Sequence, residues 1–218
     1  MTGLLRKDFL EIRASLRIYL ILAVIYTLFA FGVKEIIGMA AFVQFFFSTV
    51  TLNCFTYDEA VGWSRFCSAT PMARRTTVTA RYIFALLVAL SAFGLGLLML
   101  AISTLMHGSN GTLQQLAVLA VCLAASVVMQ GVSLPLCYRY GVERSRIALM
   151  IVMLLPFLVI WAISNFDLPI IQRLFGQFAV LDPAVWVGGI LAGAALLAVV
   201  AFLISWRISI RIYQHQDL

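Results

Sequence analysis

Six stretches of the chain, 18–33, 38–57, 82–106, 116–137, 147–164 and 185–206, run almost without charge and are long, or nearly long, enough to cross a bilayer as helices. A hydrocarbon core about 30 Å thick takes about 20 apolar residues at about 1.5 Å each. The shortest run, 18–33, reaches both interfaces if Arg17 and Lys34 extend outward on their apolar stems. Hydrophobic residues make up 63% of the 218 positions and charged ones 11%. A soluble domain is about half apolar and about a quarter charged. A soluble fold of this size could not hide so much apolar surface. The sequence therefore predicts an all-α polytopic membrane bundle, one domain over 1–218 with about six transmembrane helices. No small-residue cleavage site ends the first run, which reads as a span and not as a removed leader.

The basic residues set the orientation. Arg6, Lys7, Arg13 and Arg17 precede the first run; Arg65, Arg74, Arg75 and Arg81 follow the second; Arg139, Arg144 and Arg146 follow the fourth; Arg207 and Arg211 follow the sixth. The intervening segments hold only Lys34 and Arg173. Cytoplasmic loops collect Lys and Arg, so the alternation places both termini in the cytoplasm. Tyr57, Tyr82, Tyr138 and Trp206 then fall at inner edges, with Trp161 and Trp186 near outer ones, as an aromatic belt requires. The net charge of +6 is accounted for by topology and calls for no nucleic-acid partner.

Two segments outside the runs have their own character. In 1–17, Leu5, Phe9, Ile12 and Leu16 recur at helical spacing while Arg6, Lys7, Arg13 and Arg17 face elsewhere. This predicts an amphipathic interfacial helix, the alternative being a plain extension of the first span. The outer loop 165–184 carries Leu168, Ile170, Ile171, Leu174, Phe175 and Phe178 between Pro169 and Pro183, enough for short helices dipping into the outer leaflet or for an ordinary structured loop. Cys54, Cys67, Cys122 and Cys137 form no C-x-x-C pair or His/Cys cluster and read as small apolar residues, with no metal and no disulfide expected.

The spans hold little chemistry. All nine acids lie outside the runs or at their ends, so the membrane interior lacks the carboxylates of a proton pathway. Gln44, Ser48, Thr51 and Asn53 in the second run and Gln130 in the fourth are uncharged. They could line a substrate path or hydrogen-bond between helices. Gly189 and Gly193 form a close-approach motif that membrane helices use widely. No H-E-x-x-H, G-x-S-x-G or G-x-x-x-x-G-K-[ST] occurs, so the chain is expected to be no enzyme and to bind no ATP by a phosphate loop.

The most distinctive stretch lies between the second and third runs, 58–81. It leaves the membrane through Asp58 and Glu59, passes Gly62, Trp63 and Phe66, turns at Thr70-Pro71 and returns through Arg74, Arg75 and Arg81. Here the sequence resembles the permease subunits of type-2 ABC transporters, in particular a small bacterial subfamily of this length. There the loop after the second span carries an acidic pair, Gly-Trp, an aromatic, Ser-x-x-Pro (Ser68 to Pro71 here) and basic residues, then Lys-Tyr; Arg81 takes the place of the lysine before Tyr82. Pro135 with Tyr138, Arg139, Tyr140, Gly141, Glu143, Arg144, Ser145 and Arg146 resembles the family's second cytoplasmic loop, 138–146. Arg6, Lys7 and Asp8 resemble its leading segment.

The resemblance implies the membrane subunit of an ABC exporter in the bacterial plasma membrane, moving a peptide or another amphipathic or hydrophobic substrate. It implies a separate ATPase subunit that holds ATP and Mg, and a second permease copy, identical or related. A coupling helix around residues 59 to 66 would dock on the ATPase, through Asp58, Glu59, Gly62, Trp63, Phe66, Pro71, Arg74 and Arg75. Arg139, Tyr140, Gly141, Glu143, Arg144 and Arg146 would add secondary contacts. The alternative from another class is a non-transporting membrane scaffold or sensor.

Overall fold

The computed structural model describes residues 2–33, 36–63, 74–107, 112–147, 150–151 and 183–214, which are helical apart from single-residue breaks, with no strand among them. The elements are α1 (Thr2–Val33), α2 (Ile36–Ser48), α3 (Val50–Val61), α4 (Arg74–His107), α5 (Thr112–Tyr140) and α6 (Pro183–Gln214), with a short helical segment at 142–147. Where neither water nor a neighbouring strand can satisfy the backbone, only helix keeps every N–H and C=O bonded. Among the described residues, three stretches, Arg75–Leu105, Thr112–Tyr140 and Gly188–Gln214, are long and apolar enough to cross a membrane. The 34 residues of α4 extend about 50 Å, well beyond a core of about 30 Å. Its arginine-bearing first turns therefore project past the apolar slab. The fifth apolar run beyond residue 151 and the outer loop up to residue 182 lie outside the described residues.

Two elements differ in shape from the sequence pattern. Residues 2–33 form one continuous helix, so the leading segment and the first apolar run share an axis. Its buried stripe is Leu4, Asp8, Ile12, Tyr19 and Ala23, whereas Phe9 points away from the bundle at 58% exposed. The second apolar run is not one helix. It breaks at Thr49, where the ladder tightens to three-residue bonds, Thr49 N to Phe46 O (3.1 Å) and Leu52 N to Thr49 O (3.0 Å). The cause is local: the Ser48 hydroxyl donates to Gln44 O and the Thr49 hydroxyl to Phe46 O, competing with the backbone for acceptors. Tyr19 in α1 donates to Thr49 Oγ1 and receives from Asn53 Nδ2, both at 3.1 Å, which pins the break against α1.

α4, α5 and α6 are fastened by a polar relay that a proline sets up. Pro135 lies inside α5 and has no N–H, so the Gly131 carbonyl one turn back loses its helical partner. Ser205 of α6 donates to that carbonyl instead. Having spent its proton, Ser205 accepts from the Tyr82 hydroxyl of α4 at 2.6 Å, and Tyr82 accepts from Ser209 at 2.7 Å. α5 and α6 lie close at Gly131, where a Cβ would be in ordinary van der Waals contact with Ala201 O and Phe202 Cα at 3.8 Å. An apolar cluster packs around Tyr82 of this relay, with Leu52, Phe55, Val78, Leu134 and Tyr213 among its buried members. The outward face of α6 keeps Ile190, Leu196, Val199 and Leu203 exposed, as a lipid-facing helix does.

Candidate functional site

The polar residues of α1, α3, α4 and α5 converge at one end of the bundle. Its centre is Arg81, 5% exposed. One arm of its guanidinium bonds to Asp58 Oδ2. The other, Nη1, lies 3.1 Å from Asp8 Oδ1 as an ion pair without hydrogen-bond alignment. Lys7 closes the ring: Nζ pairs with Asp58 Oδ1 and, at 3.2 Å, with Glu11 Oε1. The Arg81 plane stacks over Phe55, 4.8 Å to the ring centre. Two cations thus face three carboxylates, and the cluster carries about one net negative charge.

The geometry explains an unequal distribution of proton affinity. Burial pushes the Asp8 carboxyl up to about 6, against the pull of Arg81 and Lys7, with Asp58 and Glu11 adding to the rise. A misaligned ion pair offsets less of the desolvation penalty than a bonded one.

The cluster anchors the neighbouring loops. Lys7 Nζ sits 4.0 Å above the ring of half-buried Trp63. Between Asp58 and Trp63 the helix ends: Gly62 adopts φ +67°, a left-handed cap whose N–H reaches Asp58 O and Glu59 O. Residue 59 therefore lies on the last turn of α3, and residue 63 begins beyond the cap, so the two do not share one helix. Exposed Glu59 accepts from Val142 N at 2.9 Å. Arg146 donates to Thr56 Oγ1 at 3.2 Å, and Phe55 meets Tyr138 edge-on at 5.0 Å. On the far side exposed Arg75 covers Trp206 at 5.4 Å, while Trp206 Nε1 donates to Thr79.

A family model for ABC-2 family transporter proteins matches residues 3–214. The chain belongs to that family. No curated protein and no solved structure matches it. The resemblance drawn from the loop motifs holds, and this ABC-2 chain is a membrane-embedded permease-type component of a transporter.

Of the residues singled out in the permease sequence, Asp58, Glu59, Gly62, Trp63 and Arg75 gather at this end. Arg139, Tyr140, Glu143, Arg144 and Arg146 stand exposed beside them, with Arg139 over the Tyr140 ring at 5.3 Å. Gly141 takes φ +79°. Phe66 and Pro71 lie outside the described residues; Arg74 opens α4, its side chain also outside them. Gln44, Ser48, Thr51 and Gln130 are all buried, whereas Asn53 is half-buried and bound to Tyr19. The amides of Gln44 and Gln130 and the Thr51 hydroxyl have no hydrogen-bond partner among the described residues.

Sequence reasoning assigned no role to Glu11 or Phe55, and counted Lys7, Asp8 and Arg81 for topology and family pattern alone. A signal existed for Asp8. It lies four residues from both Leu4 and Ile12, on the stripe that α1 buries. An acid on a buried stripe needs a cation.

Proposed function

We propose that this chain is the membrane half of an ABC exporter in the bacterial plasma membrane, with both termini inside. It would pair with a second permease chain and be driven by a separate ATPase that carries ATP and Mg. The observation that carries the reading is the joining of segments 58–63, 75–81 and 138–146 at one end, around a buried ion cluster and under exposed arginines. A rigid, aromatic and basic end suits docking to a soluble subunit that moves. ATP closes two such subunits together, and a ligand shifts an equilibrium only by its differential affinity for the two states. The chain's part is to convert that motion into a change of helix packing.

The cargo class follows from the charge-poor spans. A path lined by uncharged amides and hydroxyls, Gln44, Thr51 and Gln130 among them, suits a peptide or another amphipathic or hydrophobic molecule. The test is co-purification with a separate ABC-type ATPase subunit from the same cells. Trp63→Asp with Phe66→Asp abolishes that association and leaves membrane insertion unchanged. Normal association in the double variant refutes the docking role, and labelling that finds 58–81 outside the cell refutes the whole assignment.

A further inference from the structure

The last turn of α3 lies along the end of α5 and the segment that follows. Phe55, Thr56 and Glu59 share one helical face and meet Tyr138, Arg146 and Val142 in turn. The contact at Glu59 is a cap supplied from 83 residues away. α5 ends at Tyr140, and Gly141 turns left-handed with its own N–H on Cys137 O. Val142 then opens a new helical segment whose first N–H groups have no partner of their own. Such a start is ordinarily served by Ser, Thr, Asp or Asn at the preceding position, but that position is Gly141. The bare glycine leaves room for the outside acceptor: a Cβ there would stand 3.1 Å from Glu59 Oε1, tighter than most such contacts.

We propose that Glu59 is a positioning residue that joins the two exposed segments, 58–63 and 139–146, into a single docking body, so that a motor pressing on the first displaces α5 without an intermediate. This deepens the permease reading and rests on it.

The test follows amide hydrogen exchange in the full chain in lipid nanodiscs, alone and with the co-purified ATPase. Alone, Glu59→Ala speeds exchange across 142–147 about fivefold or more, Gly141→Ala does the same, and Glu59→Gln, which keeps an acceptor oxygen, stays near wild type. Exchange within twofold of wild type in Glu59→Ala overturns the joint. With the ATPase, wild type slows exchange in both segments, whereas Glu59→Ala slows it only in 58–63. Equal protection of both in the alanine variant overturns the single-body proposal. Failure of the wild-type chain to retain any ATPase sinks the permease reading instead, while the measurement on the chain alone still decides the joint.

Discussion

Replacing Arg81 with methionine keeps the apolar stem of the side chain and removes the charge. It leaves Asp8, 4% exposed, and the neighbouring Asp58 with Lys7 as their only close cation among the described residues, and the cluster moves from one net negative charge to two. Removing one partner of a buried pair costs about 3–5 kcal/mol, because the remaining charge is left uncompensated. For a chain of this size that corresponds to a fall in melting temperature of about 6–20 °C, measurable by size-exclusion chromatography after heating in detergent. Adding Asp8→Asn restores the wild-type local charge and recovers at least half of the loss. Arg81→Lys falls between, losing about 1–3 kcal/mol, because an ammonium cannot hold two carboxylates in a planar fork or stack on Phe55. A loss below 2 °C in Arg81→Met, or no recovery in the double variant, would refute the view that Arg81 neutralises α1 and α3 together.

The remaining expectations concern the same bundle. Asp8 has a folded pKa of about 6 against 3.8 for an ordinary Asp. The folded state thus binds this proton more tightly, and the carboxyl's support for folding is full below pH 3.8 and is lost as pH rises through 6. Asp8→Asn should gain on wild type by up to about 3 kcal/mol between pH 4 and pH 7.5; a pH-independent difference in melting temperature places the titration elsewhere. Tyr82→Phe breaks the relay to Ser205 and Ser209 and costs about 1–3 kcal/mol, and an unchanged melting temperature would show that the relay contributes nothing. Gln44→Leu and Gln130→Leu remove unpartnered amides and raise stability by about 1–3 kcal/mol each while impairing transport; a drop in stability in both would mean that the amides are already paired in the membrane.

The helices were legible because their cause is local. Apolar length alone demands helix in lipid, so α4, α5 and α6 follow from composition, and the family resemblance from the Gly-Trp and arginine pattern of 58–81. What the sequence could not disclose is pairing across the chain. Asp8 and Arg81 are 73 positions apart, and no spacing rule links them. The break at Thr49 was hidden for another reason: in a run as apolar as 38–57, two hydroxyl residues weigh little in a hydropathy average, yet they compete for the carbonyls that hold the turn. The reach of Glu59 to Val142 was invisible because it depends on what Gly141 lacks.

The articulation at Thr49 changes what a push from below can accomplish. A rigid rod spanning the bilayer would carry any tilt of its inner tip to its outer tip. Here the run is built as two helices of near-equal length, α2 of 13 residues and α3 of 12, with α2 packed among aromatic neighbours. The Tyr19 hydroxyl, bonded to Thr49 at the break and to Asn53 beyond it, ties the junction to the first helix. Removing that one hydroxyl, as in Tyr19→Phe, would cut the polar tie between the first helix and the junction of the second without touching either loop.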